Sequence, residues 1–207
     1  MMKKRIPEKT VARLSLYLRY LRELAEEDIN LVTSARIADH LGIKSAQVRR
    51  DLSYFGQFGS AGAGYDLKKL IQALETILGL NRKWKIALVG AGNLGAALFT
   101  YPGFKGQGFE IVAVFDNDPS KVGKKWGKTE ILSTTEMNEV IKGRRIKIGI
   151  IAVPQHAAEE VAEQLINAGV KAILNFAPRK LKAPKNVKLR DVDMATELQS
   201  LSYFLTR

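Results

Sequence analysis

Cysteine is absent from the 207-residue sequence. The chain therefore cannot form disulfides, use a thiolate in catalysis or hold a metal through sulfur, which fits a reducing compartment. No apolar run reaches the ~20 residues that span a bilayer, and no apolar segment of a secretion signal follows the basic start MMKKRIPEKT. We expect a cytoplasmic protein that has no membrane span and binds no metal.

Acidic residues are few relative to basic ones. The sequence has 33 Lys and Arg against 21 Asp and Glu, which gives a formal net charge of +12 at pH 7. Such a charge favours a polyanionic partner such as nucleic acid. Many lysines lie late in the chain, in residues 121–128 and 179–190, so a solvated basic surface stays open as an alternative. An inference of DNA binding must therefore rest on pattern.

The first third of the chain has helical patterns. Apolar residues at helical spacing predict a helix from Pro7 to about Ala25. A second helix starts at the N-cap signal Thr33–Ser34 and stops at Gly42, which suits the left-handed position after a helix. Ser45 is the predicted N-cap of a third. Two short helices joined by a tight turn that contains glycine predict a helix-turn-helix.

The third helix is the candidate recognition helix. Gln47, Arg49 and Arg50 fall on its outward side, and Arg and Gln can make paired hydrogen bonds to guanine and adenine edges. A small helical bundle with solvated arginines is the alternative. The candidate DNA-contacting residues are Lys44, Ser45, Gln47, Arg49, Arg50, Tyr54, Gln57 and Phe58.

A glycine-rich segment, Gly56 to Tyr65, follows the recognition helix directly. It predicts either a β-turn wing whose backbone approaches phosphates or a flexible linker, and its position and two aromatic residues favour the wing. A connecting helix is predicted from Leu67 to Leu78, ended by Gly79. We therefore expect a DNA-binding domain over residues 1–80, a second domain over 81–191 and a terminal helix over 192–207.

Strand and helix patterns alternate in the second domain, which predicts a doubly wound parallel sheet of the Rossmann type and an α/β fold class. The predicted strands are Ile86–Val89, Ile111–Phe115, Ile146–Val153 and Ile173–Asn175. The predicted helices are Leu94–Thr100, Thr135–Val140, Ala157–Ala168 and Ala195–Leu205.

The stretch KIALVGAGNLGAAL contains a dinucleotide-binding loop between a strand and a helix. Gly90 permits the tight turn, Gly92 lets the backbone approach a pyrophosphate, and Gly95 lets helix and strand pack closely. Asp116 ends the next strand, where it would accept hydrogen bonds from ribose hydroxyls. A carboxylate there repels a 2′-phosphate and favours NAD(H), although lysines from Lys121 onward leave NADP(H) open.

Two further strand ends add to the candidate cofactor site, because ligands lie at the carboxyl ends of strands in open α/β sheets. Val153–Pro154 and Asn175–Phe176 would line the nicotinamide side. The candidate cofactor-binding residues are Gly90, Ala91, Gly92, Asn93, Leu94, Gly95, Tyr101, Asp116, Val153, Pro154, Asn175 and Phe176. A CoA-binding domain is an alternative with a similar glycine-rich loop, but it needs no acid at position 116.

A dehydrogenase would need a proton donor or acceptor and a substrate pocket. His156 is the only histidine of the second domain and starts a helix, and Tyr101 of YPGF is a possible acid. The residues after Arg145 are too few for a substrate domain. A cofactor sensor is favoured, with no catalytic residue, and a small NAD(H)-dependent oxidoreductase with a helical dimerisation domain is the alternative.

Several motifs in combination resemble the Rex family of redox-sensing transcriptional repressors. They are VRRDLSYFGQFGSAGAGY, ILGLNRKWKIALVGAGNLGAAL, YPGF, FDNDPSKVG, ILNFAP and VDMATELQSLSYFL. The resemblance covers nearly the whole chain. It implies a homodimer whose winged helices bind palindromic operator DNA and whose Rossmann domains bind NADH or NAD+, with repression relieved when the NADH/NAD+ ratio rises.

The resemblance also implies a switch and a domain-swapped C-terminal helix. Arg19, Tyr101 and Asp193 match the family's switch residues, of which the tyrosine and the acid touch across the dimer when NADH is absent. Met194 stands where some relatives have a bulkier aromatic beside the nicotinamide. The sequence itself places Met194, Leu198, Leu201 and Leu205 on one apolar stripe, which must be buried either on its own domain or on another subunit.

Overall fold

The structure is a computed structural model that describes residues 6–59 and 63–206. It divides into two compact units, of which the first ends at Arg82 and the second begins at Lys83. None of the described helices is long and apolar enough to cross a membrane.

The first unit contains four helices and a two-stranded ribbon among its described residues. In chain order they are α1 (Glu8–Glu26), β1 (Leu31–Val32), α2 (Ser34–Leu41), α3 (Ser45–Ser53), β2 (Tyr65–Asp66) and α4 (Leu67–Leu78). Strands β1 and β2 pair antiparallel, so the glycine-rich segment after α3 ends in a paired strand, as a wing does. Its residues 60–62 lie outside the described part of the chain.

Local signals set the ends of these helices. The Thr33 side chain accepts a hydrogen bond from the Arg36 amide at the start of α2, and Gly42 ends the helix with φ 64°. Gly79 ends α4 in the same way. The prediction that Ser45 caps α3 is wrong by one residue: Lys44 is the N-cap, and its side chain makes no capping hydrogen bond. Ser45 is the first helical residue.

The core of the first unit is formed by the inward faces of all four helices. Its buried side chains are Leu14, Tyr17, Leu18, Leu21, Leu24, Val32, Ile37, Ala38, Val48, Leu52, Leu67, Leu70 and Leu74. Phe58 of the glycine-rich segment packs against this core and is partly buried. That contact anchors the segment, which a free linker would not require.

The second unit is a seven-stranded sheet flanked by helices. In chain order its elements are β3 (Trp84–Val89), α5 (Asn93–Thr100), α6 (Pro102–Lys105), β4 (Phe109–Asp116), β5 (Lys125–Trp126), β6 (Thr129–Ser133), α7 (Met137–Gly143), β7 (Ile148–Ile151), α8 (Ala158–Asn167), β8 (Ala172–Asn175), β9 (Lys188–Asp191) and α9 (Met194–Leu205). The strand order is β5-β6-β4-β3-β7-β8-β9.

Six of these strands run parallel, and only β5 pairs antiparallel, with β6. If β5 is left out and the other strands are numbered from β3 in chain order, the strand order is 3-2-1-4-5-6. This is the order of a dinucleotide-binding doubly wound sheet, in which the first three strands follow one direction and the next three the other. The reversal lies between β3 and β7. A ligand crevice is expected there, at the carboxyl ends of the strands.

Alternating residues of β3 separate the two faces of the sheet. Ala87 and Val89 pack with Met137 of α7 and Leu165 of α8. Ile86 and Leu88 belong to the cluster that α5 and α6 cover with Phe99 and Phe104. The inner parallel strands are thus buried on both faces, which explains the continuous apolar runs in the sequence.

The elements that the sequence did not reveal are the short or exposed ones. Strands β5, β6 and β9 and helix α6 were not predicted. Strand β9 reads Lys188-Leu189-Arg190-Asp191 and is mostly exposed at the sheet edge, so it has no apolar signal. The predicted strand Ile146–Val153 is shorter, because β7 ends at Ile151 and the chain then enters the crevice.

Candidate functional site

The turn before α3 and the outward side of α3 present cationic side chains to solvent. Lys44, Arg49 and Arg50 are exposed, and Val48 and Leu52 are buried beneath them. Because residues 48 and 52 are one turn apart, the opposite side of α3 carries the two arginines. This is the arrangement that a recognition helix needs.

The two neighbouring arginines differ in their contacts. Arg49 Nη1 donates to Ser34 Oγ at 3.1 Å and to Ser45 Oγ at 3.2 Å. It therefore links the first residue of α2 to the first residue of α3, while Arg50 points its charge into solvent next to it. Arg49 is held in place before any DNA arrives.

Gln47 is placed differently from the sequence expectation. Its side chain is half-buried, and its Nε2 donates to Asp51 Oδ1 at 2.9 Å, one helical turn later. The other candidates beyond α3 are also partly engaged. Tyr54 is half-buried at the helix end, and the exposed Gln57 Nε2 donates to the Gly59 carbonyl at 3.4 Å.

Asp51 is a fully buried carboxylate on α3. Besides Gln47, it accepts hydrogen bonds from Thr10 Oγ1 at 3.0 Å, from Arg13 Nε at 2.6 Å and Nη2 at 2.8 Å, and from Tyr17 hydroxyl at 2.7 Å. Burial alone would raise the pKa of Asp51, but these hydrogen bonds outweigh it and lower the pKa below the usual value. Burial and the same carboxylate raise the pKa of Tyr17.

The glycine-rich loop of the second unit has the geometry that its spacing predicted. Gly90 has φ +105°, and a Cβ there would lie 2.3 Å from the Ala152 carbonyl oxygen. A Cβ on Gly95 would lie 1.9 Å from the Gly90 carbonyl oxygen. Both glycines are therefore required by close packing, because α5 starts directly against the end of β3.

Gly92 is different, since a Cβ there would meet nothing within 4 Å. It is the N-cap of α5 and offers no side-chain capping bond, so the first N–H groups at Asn93, Leu94 and Gly95 face the open end of the helix. The free N–H groups and partial positive charge of a helix start attract phosphate. The open space at Gly92 lets a pyrophosphate approach this backbone.

Asp116 lies at the carboxyl end of β4 and is almost fully buried. Its Oδ2 accepts from the Ala91 amide at 2.6 Å and from Lys121 Nζ at 3.3 Å, and its Oδ1 accepts from the Asp118 amide at 2.9 Å. The carboxylate thus ties the glycine-rich loop to the neighbouring strand. A carboxylate has further lone pairs, so ribose hydroxyls remain possible additional donors.

A crevice of about 400 Å³ opens beside this loop. Its lining includes Gly92, Asp116, Val153, Pro154 and His156. Val153 and Pro154 therefore share a cavity with Asp116, the predicted ribose acceptor.

Asn175 at the end of β8 is fully buried and internally bonded. Its Nδ2 donates to Asp191 Oδ1 and to the Arg179 carbonyl, both at 2.8 Å, and its Oδ1 accepts from the Ala177 amide at 3.0 Å. The side chain holds the end of β8 to β9 rather than facing a ligand. Phe176 next to it packs with the cluster under α5 and α6.

The three switch candidates lie in separate surroundings. Arg19 is exposed on α1. Tyr101 is 55% exposed between α5 and α6, with its ring edge-on to Phe104 at 5.1 Å. Asp193 caps α9 by accepting from the Thr196 hydroxyl and from the Thr196 and Ala195 amides, which lowers its pKa. No described hydrogen bond joins Tyr101 to Asp193.

Helix α9 has no buried residue. Met194, Leu198, Leu201 and Leu205 are 57%, 67%, 59% and 86% exposed. An apolar groove of about 270 Å³ lies elsewhere on the same unit, lined by Ile86, Tyr101, Phe104, Phe109, Ile148 and Leu174 among others. Within residues 6–59 and 63–206, no cluster of three or more His, Asp or Glu is placed to hold a metal.

Comparison with known proteins gives matches along nearly the whole chain. Residues 81–179 match a family described as "CoA binding domain", and residues 5–53 match one described as "Putative DNA-binding protein N-terminus". The redox-sensing transcriptional repressor Rex of Carboxydothermus hydrogenoformans is 50% identical over 203 residues, which are 98% of this chain and 98% of that protein.

Solved structures of a Rex-family repressor, RSP, are also similar. RSP in complex with beta-NAD+ and operator DNA has a TM-score of 0.93 at 36% identity, covering 98% of this chain and 93% of that one. RSP in complex with beta-NADH has a TM-score of 0.89 at 34% identity, covering 98% and 95%.

The buried Asp51 carboxylate makes the stability of the first unit sensitive to acid. Because its pKa in the folded state lies below the value of about 3.9 in an unfolded chain, the carboxylate stabilises the fold above about pH 4, and this is lost as pH falls further. We expect Asp51→Asn to lower the free energy of unfolding by about 3–5 kcal/mol at pH 7 and to weaken its dependence on pH below 4.

Urea unfolding followed by circular dichroism at several pH values measures this. Trp84 and Trp126 both lie in the second unit, so tryptophan fluorescence gives an internal reference. The exposed Asp39→Asn on α2 is the matched control. Equal acid sensitivity in the wild type and Asp51→Asn would contradict the assignment.

Proposed function

The chain belongs to the Rex family of redox-sensing transcriptional repressors, and from this premise we propose that it binds palindromic operator DNA as a homodimer and releases it when NADH binds. Its role is regulatory and not enzymatic. Because it must reach chromosomal DNA and the nicotinamide pool, it acts in the cytoplasm.

The observation that carries this proposal is that one chain joins two complete ligand-binding devices. The first is a helix-turn-helix with outward cations on α3. The second is a parallel sheet whose glycine-rich loop leaves open space at Gly92. A sensor needs both, whereas an oxidoreductase has no use for the first.

On the DNA side, we assign the exposed end of α3 to the major groove. Arg50 is unconstrained and can reach a base edge. Arg49, held by Ser34 and Ser45, suits a phosphate, together with Lys44. Two such helices related by the dimer axis would bind half-sites about one helical turn apart.

On the nucleotide side, the pyrophosphate would lie at Gly92 and the start of α5. The crevice that contains Asp116, Val153 and Pro154 suits the adenosine half. The carboxylate at position 116, which CoA binding does not require, supports NADH and NAD+ as the ligands. Tyr101, exposed beyond the other end of α5, is the residue we assign to the nicotinamide side.

Dimerisation would cover the apolar stripe of α9. A helix with four large exposed apolar residues in one stripe is unfavourable in water, and the groove beside Tyr101 is apolar. We assign this groove to α9 of a second copy, which is the domain-swapped arrangement. The exchange would bring Asp193 of one subunit towards Tyr101 of the other, with Arg19 as the third member of the switch.

The redox response then follows from linkage. NADH favours a dimer geometry in which the two recognition helices do not match the half-site spacing. DNA must weaken NADH binding by the same factor by which NADH weakens DNA binding. NAD+ must favour one dimer geometry over the other to a different degree than NADH does. Otherwise the protein could not sense the NADH/NAD+ ratio.

Substitution of two glycines separates ligand contact from folding. Gly92→Ala adds a methyl group in open space at the pyrophosphate position, so we expect unchanged thermal stability and at least about tenfold weaker NADH binding. Gly95→Ala forces α5 away from the Gly90 carbonyl, so both stability and NADH affinity fall. Calorimetry for binding and thermal melts for stability measure this, and full NADH affinity in Gly92→Ala would refute the pyrophosphate placement.

Operator affinity measures the proposed coupling directly. We expect saturating NADH to weaken binding to operator DNA by about 5- to 150-fold, operator DNA to weaken NADH binding equally, and NAD+ to have a smaller effect. Fluorescence anisotropy with a labelled duplex gives the first quantity and NADH titration with and without duplex gives the second. Gly92→Ala is the control that should bind DNA as the wild type does and need at least about tenfold more NADH for the same release. Identical wild-type affinities in all states would rule out the coupling.

Substitutions on α9 address the dimer. Leu198→Glu places a charge in the stripe and should give monomers at concentrations where the wild type is dimeric, with weaker operator binding as a result. Gln199→Glu, on the same helix and also exposed, adds the same charge outside the stripe and should stay dimeric. Light scattering after size-exclusion chromatography decides the matter, and an unchanged mass for Leu198→Glu would exclude α9 from the interface.

A further inference from the structure

The recognition helix is joined to α1 by a buried charge as well as by apolar packing. Leu14 and Leu18 of α1 and Val48 and Leu52 of α3 lie in one hydrophobic core. Apolar contacts hold two helices together but tolerate small rotations, because they are not directional. Hydrogen bonds depend steeply on angle and restrict such rotation.

Asp51 receives its donors from two directions. Thr10, Arg13 and Tyr17 follow at intervals of three and four residues, so they form one stripe on α1. Gln47 donates from the preceding turn of α3 itself. Five hydrogen bonds therefore converge on a single carboxylate, and four of them cross from α1 to α3.

The position of Asp51 on α3 makes this connection relevant to DNA. Arg49 and Arg50 are its immediate neighbours along the helix and are exposed, whereas Asp51 is fully buried. A rotation of α3 about its axis would move the arginine side chains away from the base edges while leaving the apolar core largely intact. Asp51 and the two arginines belong to one rigid helix. The inward direction of the carboxylate and the outward direction of the arginines are therefore fixed relative to each other.

We infer that Asp51 is the positioning residue that fixes the rotation of the recognition helix on α1, and that Gln47 acts through Asp51 rather than by reading a base. Asp51 itself cannot touch DNA, because it has no exposed surface. The inference rests on the proposed function, since it concerns how operator sequence is discriminated.

A buried ion pair is a poor means of gaining stability, because the desolvation of the charges offsets much of their attraction. Replacement of both partners of such a pair by well-packed apolar residues often keeps or raises stability, whereas removal of one partner lowers it. Asp51→Leu is therefore expected to fold with reduced stability, because Arg13, which is 25% exposed, can turn its guanidinium towards solvent. Loss of directional hydrogen bonds without loss of folding is the condition that the test needs.

The test compares operator binding with random-sequence binding. The probes are a palindromic duplex selected from a random pool by the wild-type protein and a scrambled duplex of equal length, both at fixed salt. Asp51→Leu and Asp51→Asn should lower the ratio of the two affinities by about tenfold or more, the loss of about one base contact. Binding to the scrambled duplex should stay within about twofold, since phosphate contacts need only the surface charge.

Two controls separate positioning from general destabilisation. Leu74→Ala, in the core on α4, lowers the stability of the same unit through a helix that packs on α1, and should keep the wild-type ratio. Gln47→Ala should weaken discrimination across the whole half-site, whereas a base-reading residue would relax one base pair. Selection of preferred sites by each variant gives that profile.

Each outcome has a distinct meaning. A wild type without sequence preference would end the proposed function. A wild type that discriminates, with Asp51→Leu folded and equally selective, would overturn the role of Asp51 and leave the proposed function intact. If both Asp51 variants fail to fold, Tyr17→Phe, which removes one of the five hydrogen bonds, takes their place, and an unchanged affinity ratio in that variant would also overturn the inference.

Discussion

The nucleotide site depends on one close contact, the approach of α5 to the end of β3. Gly95 lies so near the Gly90 carbonyl that no side chain fits between them, and Gly90 in turn lies against the Ala152 carbonyl. These contacts place the start of α5 at the point where the strand order of the sheet reverses. The remaining features of the site follow from it: the open approach at Gly92, the crevice next to it and the carboxylate of Asp116 that secures the loop from β4.

The sequence predicted the parts of the molecule that local chemistry determines. Thr33, Gly42 and Gly79 mark helix ends through caps and left-handed turns, and the loop glycines are specified by spacing. Strands of the sheet interior were visible because both of their faces are buried. Strand β9 was not visible in this way, because most residues of this edge strand are exposed and need not be apolar.

Partners that come from distant parts of the chain lay beyond the reach of sequence patterns. Gln47 reads as an outward residue of a DNA-binding helix, yet its amide is bound to a carboxylate that also receives Arg13 and Tyr17 from α1. Asn175 reads as a strand-end ligand residue, yet β9 supplies the acceptor that turns it inward. One signal in the sequence could have revealed the contacts of Gln47. Asp51 falls at an inward position of α3, and a buried carboxylate requires hydrogen-bond donors around it.

The uncovered stripe of α9 has a consequence for the amount of protein that a cell must keep. In the proposed dimer the last helix is buried only by another subunit, so the folding free energy of each subunit would depend on protein concentration. Dilution then acts against the assembled form much as a denaturant does. Repression would follow the square of the subunit concentration at low abundance, so a small change in expression would alter operator occupancy more than proportionally.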